Sequence, residues 1–288
     1  MADNGVLPAP PVEIAPFGLL SAASVVEHSE VNSHWAQRMD IETEACYFKA
    51  DIFDLCDDSK TAEILDETSD DRSQTVYPFV ITAEDTCSTM GIGASNREAR
   101  VLRQLELVTQ KAVETEFWSG TLAEDVANDN RYITQSAGST TVGGGALSAR
   151  KALAALEGAL AGCGAGARGM IHAPRQVVSL LENQTLVEDL GADDYASKRL
   201  VTKLGTVISA GVGYSGTAPG NQAPSTNRLW MYATGLATVH LGPKAIVGDG
   251  MSNWVRASDN TLIIRAERYA AVVWDGCCLF AVEVDVTA

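Results

Sequence analysis

Long apolar runs are missing from this 288-residue chain: none approaches the roughly 18 residues of a membrane-spanning helix, so no membrane partner is expected. Basic residues are scarce at the front. The first is Arg38, so the opening residues offer neither the positive start nor the apolar stretch of a secretory signal. A formal net charge of -16 and a pI near 4.6 argue against a grip on the nucleic-acid backbone, which needs clustered Lys and Arg. The six cysteines, Cys46, Cys56, Cys87, Cys163, Cys277 and Cys278, contain no C-x-x-C pair, which removes zinc-ribbon and thioredoxin-type readings. Without an export signal, reduced thiols are expected. Cys277 and Cys278, adjacent on a strand, would point to opposite faces, which disfavours a bridge between them. The four histidines, His28, His34, His172 and His240, are scattered, and none stands in H-E-x-x-H.

Motifs for chemistry are missing too. TVGGGALSARK lacks the G-x-x-x-x-G-K-[ST] spacing of a phosphate loop. GVGYSGTAPG lacks the G-x-S-x-G elbow, because Thr217 stands where the second Gly is required. Both read as tight turns. The acidic run Asp66 to Asp71 has neither the Gly nor the bidentate Glu of an EF-hand, and reads as a solvated loop tip. Glu267, between Arg265 and Arg268, reads as a salt-bridged structural carboxylate. No metal, no cofactor and no enzymatic activity are expected.

What is present is a strong helix signal over Ser95 to Trp118, SNREARVLRQLELVTQKAVETEFW, without Gly or Pro. Ser95 and Glu98 form a capping-box pattern. Ala99, Leu102, Leu105, Val108 and Ala112 recur at helical spacing, and Gly120 supplies the stop. Such a helix is about 36 Å long. The charge divides at it: residues 1 to 94 hold 18 acids against 4 bases, and the remainder holds 19 against 17.

Ahead of the helix, Pro8, Pro10, Pro11 and Pro16 keep an apolar arm extended. Residues 44 to 56 and 74 to 83 read as the two strands of a long hairpin with an acidic tip, and Pro78 suggests an edge. Both faces of this hairpin carry apolar side chains. A lone two-stranded hairpin is marginal in water, so another subunit is the natural cover. After the helix, Ser148 is placed to cap ARKALAALEGALAG, with Leu153, Leu156 and Leu160 on one stripe. RGMIHA reads as a strand, and Pro174 opens a short helix. From Leu200 the chain is β-rich, with RLWMYATGLATVHLG broken at Gly235. NTLIIRAERYAAVVW and CCLFAVEVDV then form a closing strand pair around an Asp275-Gly276 turn.

This order resembles the major capsid proteins of tailed bacteriophages, the α+β Hong Kong 97-like fold. ARKALAALEGALAG with GMIHAPRQVVSLL, LVTKLGTVISAGVGYSGTAP, and LIIRAERYAAVVWDGCCLFAVEVD are similar to segments of that family. The resemblance implies an N-arm over 1–43, an extended E-loop over 44–94, a P domain over 95–148 with its spine helix at 95–118, an A domain over 149–252, and a return to the P domain over 253–288. It implies self-assembly through pentamers and hexamers into an icosahedral virion shell, put together in the host cytoplasm, that packages double-stranded DNA without reading its sequence. Expected partners are a separate scaffolding protein, a portal and decoration proteins. Some relatives crosslink through an E-loop Lys, an Asn and a Glu. Lys60, Asn260 and Glu267 are near such positions, but Ala266 stands where the Glu is expected, so no crosslink is expected. The expected subunit contacts are Trp35, Tyr47, Phe48, Ile52, Phe53, Tyr77, Phe79 and Trp118. An encapsulin-type compartment enclosing a cargo enzyme shares the fold and stays open as the alternative. An α/β enzyme with an appended hairpin would need a convergent polar set, which the sequence does not display.

Overall fold

A computed structural model describes residues 14–29, 34–42, 73–88, 95–122, 130–163, 168–189, 198–247, 255–256 and 261–288. The front half contains α1 (Leu19–Ala22), β1 (Ser24–Glu27), β2 (Met39–Glu42), β3 (Ser73–Val76), β4 (Phe79–Ser88) and the long helix α2 (Ser95–Ser119). Then come β5 (Thr140–Thr141), β6 (Leu147–Ser148), α3 (Ala149–Ala161), β7 (Gly169–His172), α4 (Arg175–Ser179), β8 (Thr185–Asp189), β9 (Lys198–Thr202) and β10 (Val207–Ser209). The last part holds β11 (Arg228–Gly235), β12 (Ala237–Leu241), β13 (Ala245–Val247), β14 (Val255–Arg256), β15 (Thr261–Trp274) and β16 (Phe280–Asp285).

These strands form two sheets and one small hairpin. The first sheet is organised on β15, a run of β-branched and aromatic residues suited to a pleated surface. β4 pairs with it in antiparallel register from Phe79–Ala270 to Ser88–Thr261. On its other side lie β12, β13 and β14, with β1 parallel to β12 beyond. β4 is bonded among the described residues only to β15 and begins directly after Pro78, so the single strand expected over 74 to 83 is broken there into β3 and β4, because Pro78 has no N–H for a ladder. The second sheet runs β5-β16-β11-β7-β10-β9-β8, with β6 also on β16.

Two cores result. α2 packs Val101, Leu105, Val113, Phe117 and Trp118 with Ile81, Val239, Ile264 and Trp274 of the first sheet. α3 packs Leu153, Leu156 and Leu160 with Ile171, Ile208, Met231 and Val282 of the second, so its expected stripe is the observed one. Strand β11 alternates between them: Tyr232 belongs to the first core, and Met231 and Ala233 to the second. A strand buried on both faces reads as a continuous apolar run, which is how RLWMYATG reads.

Several expectations are corrected. The partner of Ser73–Val76 is Met39–Glu42, not residues 44 to 56, which lie outside the described residues. β15 and β16 are not a hairpin. Asp275 to Leu279 carries the chain from one sheet to the other, because each strand finds a longer partner elsewhere, β4 for the first and β11 for the second. Ser148 sits at the N-cap of α3 but makes no side-chain cap bond, because its backbone is drawn into pairing with Asp285. The thiols are not all reduced. Cys163 after α3 is bonded to Cys278 with their Cα atoms 6.0 Å apart, a contact between residues 115 apart in sequence. Cys277 is disulfide-bonded as well.

α2 has the expected span and stops at Gly120, whose φ of +59° favours glycine and whose N–H closes on Glu116 O at 2.8 Å. Its inward face differs from expectation. Ala99 and Val108 are exposed, and the buried line is Val101, Leu105, Thr109, Gln110, Val113, Glu114, Phe117 and Trp118. The helix turns its polar Gln110 and Glu114 inward because the arm and a loop offer backbone groups that need them. A direct check follows. Leu105→Ala should cost about 2–5 kcal/mol in urea unfolding, while Val108→Ala should change stability by no more than about 0.5 kcal/mol.

Candidate assembly surfaces

The arm is held to the body by polar groups of the body that meet its backbone. Glu114, fully buried, accepts from the N–H of Leu19 at 2.9 Å through Oε1 and from the N–H of Gly213 at 2.9 Å through Oε2. Gln110 Nε2 donates to the same Oε1 at 2.9 Å and to Ala15 O at 3.1 Å. Arg175 Nη1 donates to Pro16 O at 2.8 Å and to Ala210 O at 3.2 Å, and the Ala210 N–H donates to Phe17 O at 2.6 Å. Arg199 Nε donates to Ser21 O at 3.3 Å. Gly18 has no side chain because a Cβ there would overlap Gln110 and Glu114. Sequence reasoning missed this set. Its one visible signal was Gln110 and Glu114 at i and i+4 between apolar residues.

Beside Glu114 lies a sealed polar chain. Tyr214 Oη is 2.8 Å from Ser209 Oγ and 3.4 Å from His172 Nδ1, and His172 Nε2 is 2.8 Å from Thr234 Oγ1. His172, Ser209 and Thr234 are fully buried. Burial holds the His172 pKa down to about 3 and raises that of Glu114, whose donors pull the other way. This arrangement has Ser and His together but no opening to a substrate. Its work is to satisfy polar groups inside the core. Among the described residues no group of three His, Cys, Asp or Glu could hold a metal ion.

The residues expected at subunit contacts fall in different places. Tyr47, Phe48, Ile52 and Phe53 lie outside the described residues. Trp118 is fully buried within the chain, stacked on Tyr214 at 4.6 Å and edge-on to Tyr232 at 5.1 Å, and its Nε1 donates to Thr217 Oγ1. Phe79 is buried in the same core. Tyr77 is half-buried, and its backbone N–H and C=O both bond the Asn130 side chain at 2.7 Å, which replaces a strand partner at the Pro78 break. Trp35 is half-buried. It stacks on His28 with ring centroids 4.2 Å apart, and His28 Nε2 lies 3.0 Å from His240 Nδ1 on β12. Glu267 meets Arg265 at 3.7 Å, the ion pair expected of it.

Exposed apolar side chains of the described chain include Val108 on α2, Val212 and Leu236, and two sets on the sheets. One set is on strands of the first sheet, at Val25, Val26, Val80 and Val247. The other is the β8–β9 end of the second sheet, with Leu180, Leu186, Val187 and Leu204. No described helix is long and apolar enough to cross a membrane.

No family model and no curated protein matches the sequence. Solved structures match over nearly the full length. The holo-SrpI encapsulin complex from Synechococcus elongatus PCC 7942 is 10% identical at a TM-score of 0.58, covering 99% of this chain and 94% of that one. The capsid of an empty GTA particle is 15% identical at 0.57, covering 99% and 95%. The capsid of Ralstonia phage GP4 is 10% identical at 0.54, covering 98% and 95%. At such identities the likeness is one of fold: the chain has the mixed α/β fold of capsid shell proteins, the fold class expected from its sequence.

Two measurements check the interior just described. The His172 pKa lies below its ordinary 6.5, so the unfolded chain takes up that proton first. Stability from this group is full above pH 6.5 and falls toward pH 3 by about 1.4 kcal/mol per unit. Glu114 acts in the opposite sense, losing stability as pH rises through its raised value. Urea midpoints between pH 7.5 and 5 should therefore fall less steeply in His172→Gln than in the wild type. Glu114→Ala strands two backbone N–H groups, so limited proteolysis near residues 15–23 should speed up severalfold with the rest of the chain still folded.

Proposed function

We propose that this protein is a capsid shell protein that assembles with copies of itself into a closed icosahedral particle through pentamers and hexamers. The supporting observation is the fold, shared with capsid chains across nearly the full length. A further feature favours it. Apolar side chains stay uncovered on both sheets, and an isolated subunit gains by covering them. The polar chain at His172 is buried in the core, where its groups satisfy one another.

In this reading, residues 1–43 serve as the N-arm and residues 44–94 serve as the E-loop, lying over a neighbour. α2 is the spine of the P domain, residues 149–252 form the A domain, and residues 253–288 return to the P domain. The contents are double-stranded phage DNA, held without sequence reading, which suits a chain of net charge -16. A separate scaffolding protein, a portal and decoration proteins complete the virion. The encapsulin neighbour supports a second reading, a compartment enclosing a cargo enzyme.

Light scattering with negative-stain microscopy of the purified protein tests the proposal. Closed particles, or rings of five and six, are expected. A monomer near 30.4 kDa at high concentration would count against it. Nuclease-protected DNA in particles from the natural source separates the phage reading from a copurifying cargo protein. Phe53→Asp is expected to block assembly while the subunit keeps its fold.

A further inference from the structure

β2 pairs only with β3 among the described residues, and a two-stranded ribbon is marginal on its own. Two described contacts flank it. After β3, the backbone of Tyr77 is bonded to the Asn130 side chain. Ahead of β2, Trp35 is seated on the first sheet. It lies over Gly242, where a Cβ would come within 3.4 Å of Trp35 Cζ2, and its ring is stacked on His28. Trp35 Nε1 is buried with no hydrogen-bond partner among the described residues, so this seat carries an uncompensated cost and depends on the stack. His28 is held in turn by His240. Their ring centroids are 5.3 Å apart, about as far as an N···N contact of 3.0 Å permits, and the rings are within 23° of parallel. Nε2 of His28 and Nδ1 of His240 therefore aim straight at each other. A zinc-type ion between two such nitrogens would need them about 4 Å apart, so the contact is an N–H···N hydrogen bond.

We propose that the His28–His240 bridge is a proton-gated clasp: closed, it seats Trp35 and the leading end of β2 on the first sheet, and it opens when both rings are charged. In the bridge one ring donates and the other accepts. A first added proton keeps it, because a charged imidazolium still donates to a neutral ring, and a charged His28 favours the stack on Trp35. A second proton leaves no acceptor and sets two cations 3.0 Å apart. Burial and the neighbouring His28 hold the His240 pKa below its ordinary 6.5. Once open, the ring returns toward that value, so the open form binds more protons. The closed form is favoured above pH 6.5 and loses up to about tenfold against the open form with each pH unit below it. The surrounding elements add charge but no other switch in this range. Glu27 of β1 and Glu106 of α2 both act on Arg268 of β15, whose Nε and Nη2 donate to Gly242 O, and Lys244 is paired with Glu106. Tyr269 of β15 also packs at Gly242, and the residues in register with His240 are the uncharged Val26 and Ala271. None of these is a histidine, the side chain whose ordinary pKa lies between pH 5 and 8. The clasp belongs to the single subunit and does not depend on the shell reading.

Acrylamide quenching of tryptophan fluorescence tests it on the dilute full chain, with Trp35→Phe subtracted to isolate the Trp35 signal. Quenching of Trp35 should be slight at pH 7.5 and rise severalfold by pH 5, while the near-UV circular dichroism of the buried Trp118 and Trp274 stays unchanged. His240→Gln still bonds His28 but takes up no proton, and should keep Trp35 covered at pH 5. His240→Lys places a fixed cation there and should uncover Trp35 already at pH 7.5. His34→Gln, the neighbouring histidine, should leave the wild-type transition in place. A Trp35 signal that stays flat down to pH 5 in the wild type would overturn the inference without any change at either histidine. So would a transition that survives in His240→Gln, or one that coincides with loss of the Trp118 and Trp274 signal, since that is unfolding of the whole subunit.

Discussion

A buried carboxylate holds this subunit together at its most composite point. Glu114 accepts one backbone N–H from the arm and one from the loop after β10, while its neighbour Gln110 reaches a further arm carbonyl. Each of these groups would be costly to bury alone. Together they let a segment with little core of its own, residues 15 to 23 with the short α1, be ordered against a longer helix. The helix must then show a polar pair to the interior, and the first core is built around that requirement. Trp118 and Phe117 close over it, and Tyr214 links Trp118 to the sealed chain through His172.

The two sheets are coupled rather than merely adjacent. β11 and β16 contribute alternate residues to both cores, so the second sheet is buried on both faces along its middle. The Cys163–Cys278 bond joins the end of α3 to the crossing between β15 and β16, where the chain passes from one sheet to the other. A subunit built this way is rigid at its centre and open at its margins. Strands of the first sheet and the β8–β9 end of the second keep apolar residues in solvent.

Much of the architecture was legible from local pattern. The span of α2, its stop at Gly120, the face of α3 and the break at Gly235 follow from period and turn chemistry. The inward face of α2 was not legible. The apolar count favoured Ala99 and Val108, while the fold preferred Val101 and Val113 with two polar partners. The hairpin partner of β3 and the parting of β15 from β16 were likewise out of reach, because strand pairing is settled between residues far apart in sequence.

By itself, then, the sequence determined the kinds of elements, their order and most of their ends, because helix period, caps and turns act over a few residues. It also determined the acidic charge, which offers no clustered Lys and Arg for a nucleic-acid backbone. Only the tertiary structure decided which side of α2 faces inward, which cysteines join, and which strands share a sheet. Those outcomes depend on burial and on satisfying backbone groups across separations of about 100 residues, such as Leu19 with Glu114 or Cys163 with Cys278. No local pattern carries that information.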